Sequence, residues 1–221
     1  MALAYLTAQQ AIEQLTLLQP VYELTGFENS GLIEMLLDPA NQSTLELILR
    51  KLEERVDQWV GYRIAPTQYT ESLGADALSP LACTSNYPII SIVNVQPIPN
   101  RLPYYLPTKD TCQIGGVRTI NLLNPLTCAI VTYIAGYDPI PAIVGDCIFE
   151  ALILMIQSGN PVNFSLLDEA AKDVESFQLP SGLKKSWKVS DSKVGQTNAD
   201  RLFGPLREFK QALQTGGSPV V

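Results

Sequence analysis

The fold is decided by residues 131–156, which read VTYIAGYDPIPAIVGDCIFEALILMI. The alternating residues at its start predict a β-strand. Gly136 permits the positive φ angle that a sharp exit from a strand requires. Pro139 favours extended backbone before it, and Pro141 falls at or near the first turn of a helix, where a missing N–H costs nothing. The stretch therefore predicts a strand, a rigid corner and a helix in direct succession.

The helix predicted after this corner is apolar on nearly every side. A helix of that kind is buried or lies between two layers of structure. We expect it to pack against the helix predicted at 43–60 on one side, and against the sheet or a neighbouring subunit on the other. The residues assigned to this core or subunit contact are Ile143, Cys147, Phe149, Leu152 and Met155.

Three helical segments precede the strand-rich middle of the chain. The first starts at a capping box at Thr7 and should end at Pro20, because proline interrupts helices. A short second segment covers residues 31–38. The third covers residues 43–60, begins at a capping box at Ser43, and repeats apolar residues every three or four positions.

Between residues 62 and 135 the sequence is typical of β-structure. The runs YRIAPTQYTE, PIISIVNV and CAIVTYIA are rich in β-branched and aromatic residues, and they predict three to five short antiparallel strands. Segment 97–119 has four prolines and a Gly-Gly pair, which favours a long loop or an extended hairpin. Its aromatic side chains either fold back over the sheet or form an exposed contact. The candidate contact residues are Arg101, Tyr104, Tyr105 and Lys109.

After the core helix, a helical patch is expected over 165–177 and a final amphipathic helix over 199–213. The predicted fold class is α+β: a small helical bundle with an inserted antiparallel β-sheet or hairpin region and a C-terminal extension that ends in a helix. The expected division is a body over 1–183, with its β-rich insertion at about 62–135, and an extension over 184–221.

The charge of the chain is distributed unevenly. Residues 1–183 contain 19 acidic and 8 basic side chains, whereas residues 184–221 contain 3 acidic and 7 basic ones. The extension is either a docking arm for an acidic partner surface or a solvated tail. Its candidate docking residues are Lys184, Lys185, Lys188, Lys193, Arg201, Arg207 and Lys210.

Composition argues against most enzyme classes. Histidine is absent, which removes Ser-His-Asp and Cys-His catalysis, and the four cysteines are scattered without a CxxC pair. Asp146 and Glu150 lie one helical turn apart and leave open a small carboxylate-dependent hydrolase as an alternative. We expect no enzyme activity, no cofactor and no bound metal. No apolar run is long enough for a membrane span, and no signal peptide is evident, so a cytoplasmic protein is expected.

The order of these elements resembles a known family. The helix ending in WVGYRI, the strand APTQYTE, the strand PIISIVNV and the unit VTYIAGYDPIPAIVGDCIFEALILMI resemble the head-tail connector (adaptor) proteins of long-tailed bacteriophages. The resemblance spans roughly residues 40–160, and KKSWKVSDSKVGQT is similar more loosely. Residues 1–40 and 195–221 depart from the short members of the family.

The resemblance implies a structural role in the neck of the virion, after assembly in the host cytoplasm. Such proteins form a ring, typically of twelve subunits, beneath the portal protein. The ring extends the channel through which double-stranded DNA passes without specific binding, and it provides the surface on which the next neck or tail component docks. The alternative within the same class is a stopper or tail-terminator ring, which would share the β-rich middle but should not need the helical frame.

Overall fold

The structure is a computed structural model that describes residues 3–25, 29–75, 77–98, 107–123, 127–169, 177–178, 184–185 and 196–209. Its helices are α1 (Ala8–Thr25), α2 (Ser30–Leu37), α3 (Gln42–Val60), α4 (Ala142–Gln157) and α5 (Asn198–Leu202). Its strands are β1 (Thr67–Gly74), β2 (Leu81–Cys83), β3 (Ile89–Pro97), β4 (Gln113–Gly116), β5 (Thr119–Asn121), β6 (Cys128–Ala135), β7 (Phe177–Gln178) and β8 (Lys184–Lys185). The α+β class predicted from the sequence is confirmed.

The chain divides into two compact units. The helical unit comprises Met1–Trp59 and Ala142–Arg207, and the β unit comprises Val60–Pro141 and Glu208–Val221. The first stretch of the β unit, Val60–Pro141, thus includes the insertion predicted at about 62–135. The described residues 196–207 belong to the helical unit, so the boundary predicted at residue 184 does not separate them from the rest of that unit.

Helix α1 differs from its prediction, because it continues through Pro20 to Thr25. Proline removes the hydrogen bond that the carbonyl of Thr16 would otherwise accept in the helix. Both Thr16 and Pro20 are exposed, so water can solvate that carbonyl and the helix does not have to end. The predicted capping box at its start is confirmed: the Thr7 amide donates to Oε1 of Gln10 at 2.9 Å, and the Gln10 amide donates back to Oγ1 of Thr7 at 3.2 Å.

Helix α3 confirms the predicted periodicity but not the predicted cap. A 3₁₀ turn at Pro39–Asn41 leads directly into the helix, so Ser43 lies inside the helix instead of capping it. Asp38 caps the 3₁₀ turn by accepting a hydrogen bond from the Ala40 amide at 2.9 Å. Six apolar residues of α3 are almost completely buried in the core: Leu45, Ile48, Leu49, Leu52, Val56 and Val60.

The N-terminal segment of the helical unit is anchored to α3. The carboxylate of Glu53, itself buried, accepts hydrogen bonds from the amides of Ala4 and Tyr5 at 2.8 and 2.7 Å. The hydroxyl of Tyr5 donates to Asp57. On α4, a Cβ added to Gly145 would lie 3.1 Å from the carbonyl oxygen of Tyr5, so the glycine allows this segment to approach α4 closely.

The β unit contains two antiparallel three-stranded sheets, with strand orders β1-β6-β3 and β2-β5-β4. This is one strand more than the upper limit of the three to five that were predicted. The short strands β2, β4 and β5 lie outside the three runs from which strands were predicted. Both sheets contribute buried residues to one hydrophobic cluster, which includes Val131 and Tyr133 from β6 and Ile120 from β5.

The corner predicted at 136–141 is confirmed. Gly136 has a φ angle of 134°, and its amide donates to the carbonyl of Pro88 at 2.9 Å. The amide of Tyr137 donates to the carbonyl of Ile64 at 2.8 Å. Helix α4 follows immediately after Pro141 and ends before Gly159, whose φ angle is 78°. The segment that enters the β unit and the segment that leaves it are therefore hydrogen-bonded to each other.

The C-terminal part of the chain departs most from its prediction. The described part of the helical patch predicted over 165–177 contains no α-helix: a 3₁₀ turn covers Phe164–Leu167, and Phe177 belongs to β7. The helix predicted over 199–213 is interrupted, because α5 ends at Leu202 and a 3₁₀ turn follows at Gly204–Leu206. Pro205 lacks the N–H that a continuous helix needs there. Residues 210–213 lie outside the described residues.

Candidate interaction surfaces

The β1-β6-β3 sheet has one face in the core of the β unit and one face turned outward. Central strand β6 alternates, with Ala129, Val131, Tyr133 and Ala135 fully buried. The residues between them lie opposite residues of β1 and β3 and, with them, make up the outward side. We call this side the outer sheet face. It consists of Gln68, Thr70, Ser72, Gly74, Ser91, Asn94, Gln96, Cys128, Ile130, Thr132 and Ile134.

No charged side chain belongs to the outer sheet face. None of its residues is buried, and Ile130 at its centre is 38% exposed. The hydroxyls of Thr70 and Thr132 hydrogen-bond across the strands at 3.0 Å. The face is therefore an accessible surface of hydroxyl, amide and aliphatic groups. The sequence alone did not reveal it, because only the strand register shows which residues lie together.

The net negative charge of the chain lies entirely in the helical unit. The helical unit contains 17 acidic and 10 basic residues, and the β unit contains 5 of each. The acidic character that the sequence showed for residues 1–183 thus comes from the helical segments.

The β unit also contains a polar cluster that the sequence analysis missed. The hydroxyl of Tyr133 donates to Oε1 of Glu71 at 2.5 Å, and the side-chain amide of Asn86 donates to the same oxygen at 2.9 Å. The amide of Ser85 donates to Oε2 at 3.0 Å. These bonds fasten the segment before β3 to β1 and β6. The residues are far apart in sequence and form no motif, so no local signal could have identified them.

The same cluster shifts two pKa values in opposite directions. Burial alone would raise the pKa of Glu71, but the hydrogen bonds from Tyr133, Ser85 and Asn86 outweigh it and hold the pKa below its ordinary value of 4.5. Burial and the bond to Glu71 raise the pKa of Tyr133 to about 12. Both groups therefore keep their ordinary charge states at neutral pH, and the cluster is best interpreted as structural.

A second cluster in the β unit is aromatic. The rings of Tyr62 and Tyr87 stack with their centroids 5.9 Å apart, and the guanidinium of Arg118 lies 4.5 Å from the centroid of Tyr87. Phe209 contacts Tyr137 edge to face at 5.2 Å. Phe209 thereby attaches the end of the described chain to the segment that follows the Gly136 corner.

The predicted docking arm is partly incorporated into the helical core. Leu202, Phe203 and Leu206 are buried, and Phe203 packs edge to face against Trp59 with centroids 6.1 Å apart. The indole N–H of Trp59 donates to Oδ1 of Asp200 at 3.0 Å. These contacts involve side chains 141 or more positions apart, which is why charge patterning could not predict them.

The start of α5 is also held by hydrogen bonds. Thr197 and Asp200 form a capping box, in which each side chain bonds the backbone amide of the other residue. The amide and the side chain of Asn198 donate to the carbonyls of Glu169 and Leu166 at 2.9 and 2.7 Å. Residues 196–209 therefore do not form a free tail. The spacing Thr-x-x-Asp was a signal for this helix start, and the sequence analysis did not use it.

The candidate docking residues are not equivalent. Arg201 is half-buried, and burial lowers its pKa while the negative charge of Glu150 opposes that shift. Arg207 is exposed. Lys184 and Lys185 form strand β8, which pairs with β7. Lys188, Lys193 and Lys210 lie outside the described residues.

Of the contact residues predicted in segment 97–119, Lys109 is exposed, and Arg101, Tyr104 and Tyr105 lie outside the described residues. Part of this segment forms strand β4, whose residues are all exposed. Of the two predicted alternatives, a long loop and an extended hairpin, Gln113–Gly116 agrees with the hairpin, because it pairs antiparallel with β5.

Helix α4 confirms most of its predicted core residues. Cys147, Leu152 and Met155 are buried, and Phe149 is half-buried. Ile143 is 40% exposed, so it does not belong to the core of the subunit, and of the two predicted roles only the subunit contact remains for it. Its position relative to Asp146 and Glu150, three and seven residues later, places it on the polar side of the helix.

Asp146 and Glu150 do not form an isolated carboxylate pair. Asp146 is exposed, and Glu150 is half-buried and acts electrostatically on Arg201. Within the described part of the chain, no group of three or more cysteine, aspartate or glutamate side chains is placed to hold a metal ion. None of the described helices is long and apolar enough to cross a membrane.

Comparison with known protein families and with curated proteins finds no family and no protein that matches this chain. The resemblance to phage adaptors therefore remains an expectation from the sequence.

Proposed function

We propose that this protein is a head-to-tail adaptor of a long-tailed bacteriophage. In this proposal, copies of the chain form a ring, typically of twelve, between the portal protein and the next neck or tail component. The ring carries double-stranded DNA through its channel without specific binding. Its place is the neck of the virion, and it performs no catalysis.

One observation carries the proposal. Helices α3 and α4 belong to the same helical unit, although the strands β1 to β6 lie between them in the chain. The four stretches that resemble the adaptor family correspond to the end of α3, to β1, to β3 and to the β6–α4 corner. The order of elements on which the resemblance rests is therefore present as folded structure.

The lysines before α5 remain the candidate surface for docking on the portal. The amide of Asn198 bonds the carbonyl of Glu169, so the described residues before and after the interval 170–195 are hydrogen-bonded to each other. Five of the chain's lysines fall in this interval, at 172, 184, 185, 188 and 193. The proposed docking element is then an internal segment of the chain, and Arg201 lies half-buried in α5 instead.

This arrangement rules out truncation after Gly182 as a test. The truncated chain would lack Leu202, Phe203 and Leu206, all of which are buried in the helical unit, and would be destabilised whatever the lysines do. Substitution is the appropriate perturbation. Replacing Lys184 and Lys185 with serine removes two adjacent positive charges, and the matched control replaces the exposed adjacent pair Arg50 and Lys51 in α3.

The assay is binding of the intact protein to assembled portal rings, with negative-stain images of the complexes. We expect wild type to cap the portal with a ring, and the Lys184/Lys185 variant to bind roughly tenfold more weakly with less salt dependence, since each rim charge contributes about 0.5–1 kcal/mol. The Arg50/Lys51 variant should bind as wild type does. Absence of any wild-type ring on the portal would refute the adaptor proposal. Equal loss in both variants would refute the lysine surface alone.

A further inference from the structure

We propose that the outer sheet face is a contact surface between neighbouring copies of this chain. The inference deepens the proposed function and rests on it for the closed ring, but the location of the contact comes from the structure. Its starting point is the composition of the face: eleven outward positions on three strands, without a single charged side chain.

The face is less charged than the chain as a whole. Charged residues make up 17% of the chain, and at that frequency about two of eleven positions would be charged. Edge strands commonly carry lysine or other charges that discourage pairing with other chains, and the edge strands β1 and β3 contribute none to this face. Ile130 at its centre has 38% of its surface exposed.

Charge favours a second copy as the occupant. Each copy has a net charge of −7, and the helical unit contains 17 acidic and 10 basic residues. Helical surfaces of two copies would therefore repel each other, and the repulsion grows with each added copy. The β unit has equal numbers of acidic and basic residues, and its outer sheet face has no charge to desolvate. It is a surface on which another acidic chain can be contacted without desolvating a charged side chain of the face.

The size of the face sets the strength of the contact. Strands β1, β3 and β6, of 8, 9 and 8 residues, cover roughly 400 Å² in projection, from strand spacings of about 4.8 Å and a rise of about 3.3 Å per residue. A standard interface buries about 800 Å² on each partner. The face provides about half of that, so one contact should be weak. In a closed ring the outer sheet face of one copy contacts a different surface of the next copy. Every subunit then has two contacts, and removing it requires both to break.

The test is self-association of the isolated, intact protein, measured by sedimentation equilibrium up to the highest soluble concentration. Ile130→Lys places a charge at the centre of the outer sheet face. Thr70→Lys places one on β1 of the same face, at an exposed position. The matched control is Ile114→Lys, because Ile114 is 43% exposed and lies in β4 of the other sheet. Far-UV circular dichroism and urea unfolding establish that each variant is folded.

We expect wild type and Ile114→Lys to associate equally, and the two outer-face variants to have association constants at least tenfold lower. The inference is overturned if wild type stays monomeric at every concentration. It is also overturned if the outer-face variants associate as wild type does, or if Ile114→Lys lowers the association constant as much as they do. If the outer-face variants lose association but wild type forms only dimers and does not cap the portal, the contact surface stands and the adaptor proposal fails. If wild type caps the portal but does not associate through this face, the adaptor proposal stands and the contact surface fails.

Discussion

Replacing Gly136 with alanine should destabilise the β unit more than any other single-methyl addition at a described glycine. Gly136 has a φ angle of 134°, which residues with a Cβ rarely adopt. A Cβ placed there would lie 2.7 Å from both the carbonyl carbon and oxygen of Ala65 and 2.8 Å from the carbonyl oxygen of Ile64. All three contacts are with backbone atoms, so no side-chain rotation can relieve them.

The expected cost follows from two contributions. Holding a non-glycine residue in a rarely adopted conformation costs about 1–3 kcal/mol. Moving the backbone at Ile64 and Ala65 weakens the hydrogen bonds of the Gly136 and Tyr137 amides, which are 2.9 and 2.8 Å long, at about 1 kcal/mol each. We expect a total loss of about 3–5 kcal/mol.

Urea unfolding followed by far-UV circular dichroism measures this loss. With a slope of about 2 kcal/mol per molar urea, the midpoint should fall by roughly 1.5–2.5 M. The control is Gly31→Ala in α2, because a Cβ there meets nothing within 4 Å and alanine favours the helix. A Gly136→Ala midpoint within 0.2 M of wild type would show that the corner is not constrained, and would refute the reasoning.

Two further substitutions test other parts of the fold. Tyr133→Phe removes the hydroxyl that bonds Glu71 and should cost about 1–2 kcal/mol at neutral pH. The folded-state pKa of Glu71 lies below 4.5, so the stability that ionised Glu71 contributes is present above that value and is lost as the pH falls through the folded-state pKa. The difference in unfolding free energy between wild type and Tyr133→Phe should therefore shrink in urea titrations at lower pH. A difference that stays constant with pH would contradict the role of Glu71. Phe203→Ala removes a fully buried ring beside Trp59 and should cost about 3–5 kcal/mol, which lowers Tm by roughly 10 °C in calorimetry. Arg207→Ala, at an exposed position nearby, should leave Tm almost unchanged, and an unaltered Tm for Phe203→Ala would show that residues 196–209 are not part of the core.

The amino-acid sequence by itself determined the class of the fold and the order of its main elements. The periodicity of α3, the alternation of β6 and the apolar character of α4 are local patterns, and local patterns reflect backbone geometry directly. The corner at Gly136 was predictable for the same reason, since glycine and proline restrict the chain wherever they occur.

Only the tertiary structure decided the rest, because it depends on which residues meet across long distances in the chain. Pro20 stays within α1 because Thr16 and Pro20 are both exposed, so water can solvate the carbonyl that proline leaves unbonded. Residues 196–209 are part of the folded structure because Phe203 packs against Trp59 and Phe209 packs against Tyr137. Neither contact can be predicted from the residues adjacent in sequence. The outer sheet face likewise exists only through the register of β1, β6 and β3, which places uncharged residues from three separate segments on one surface.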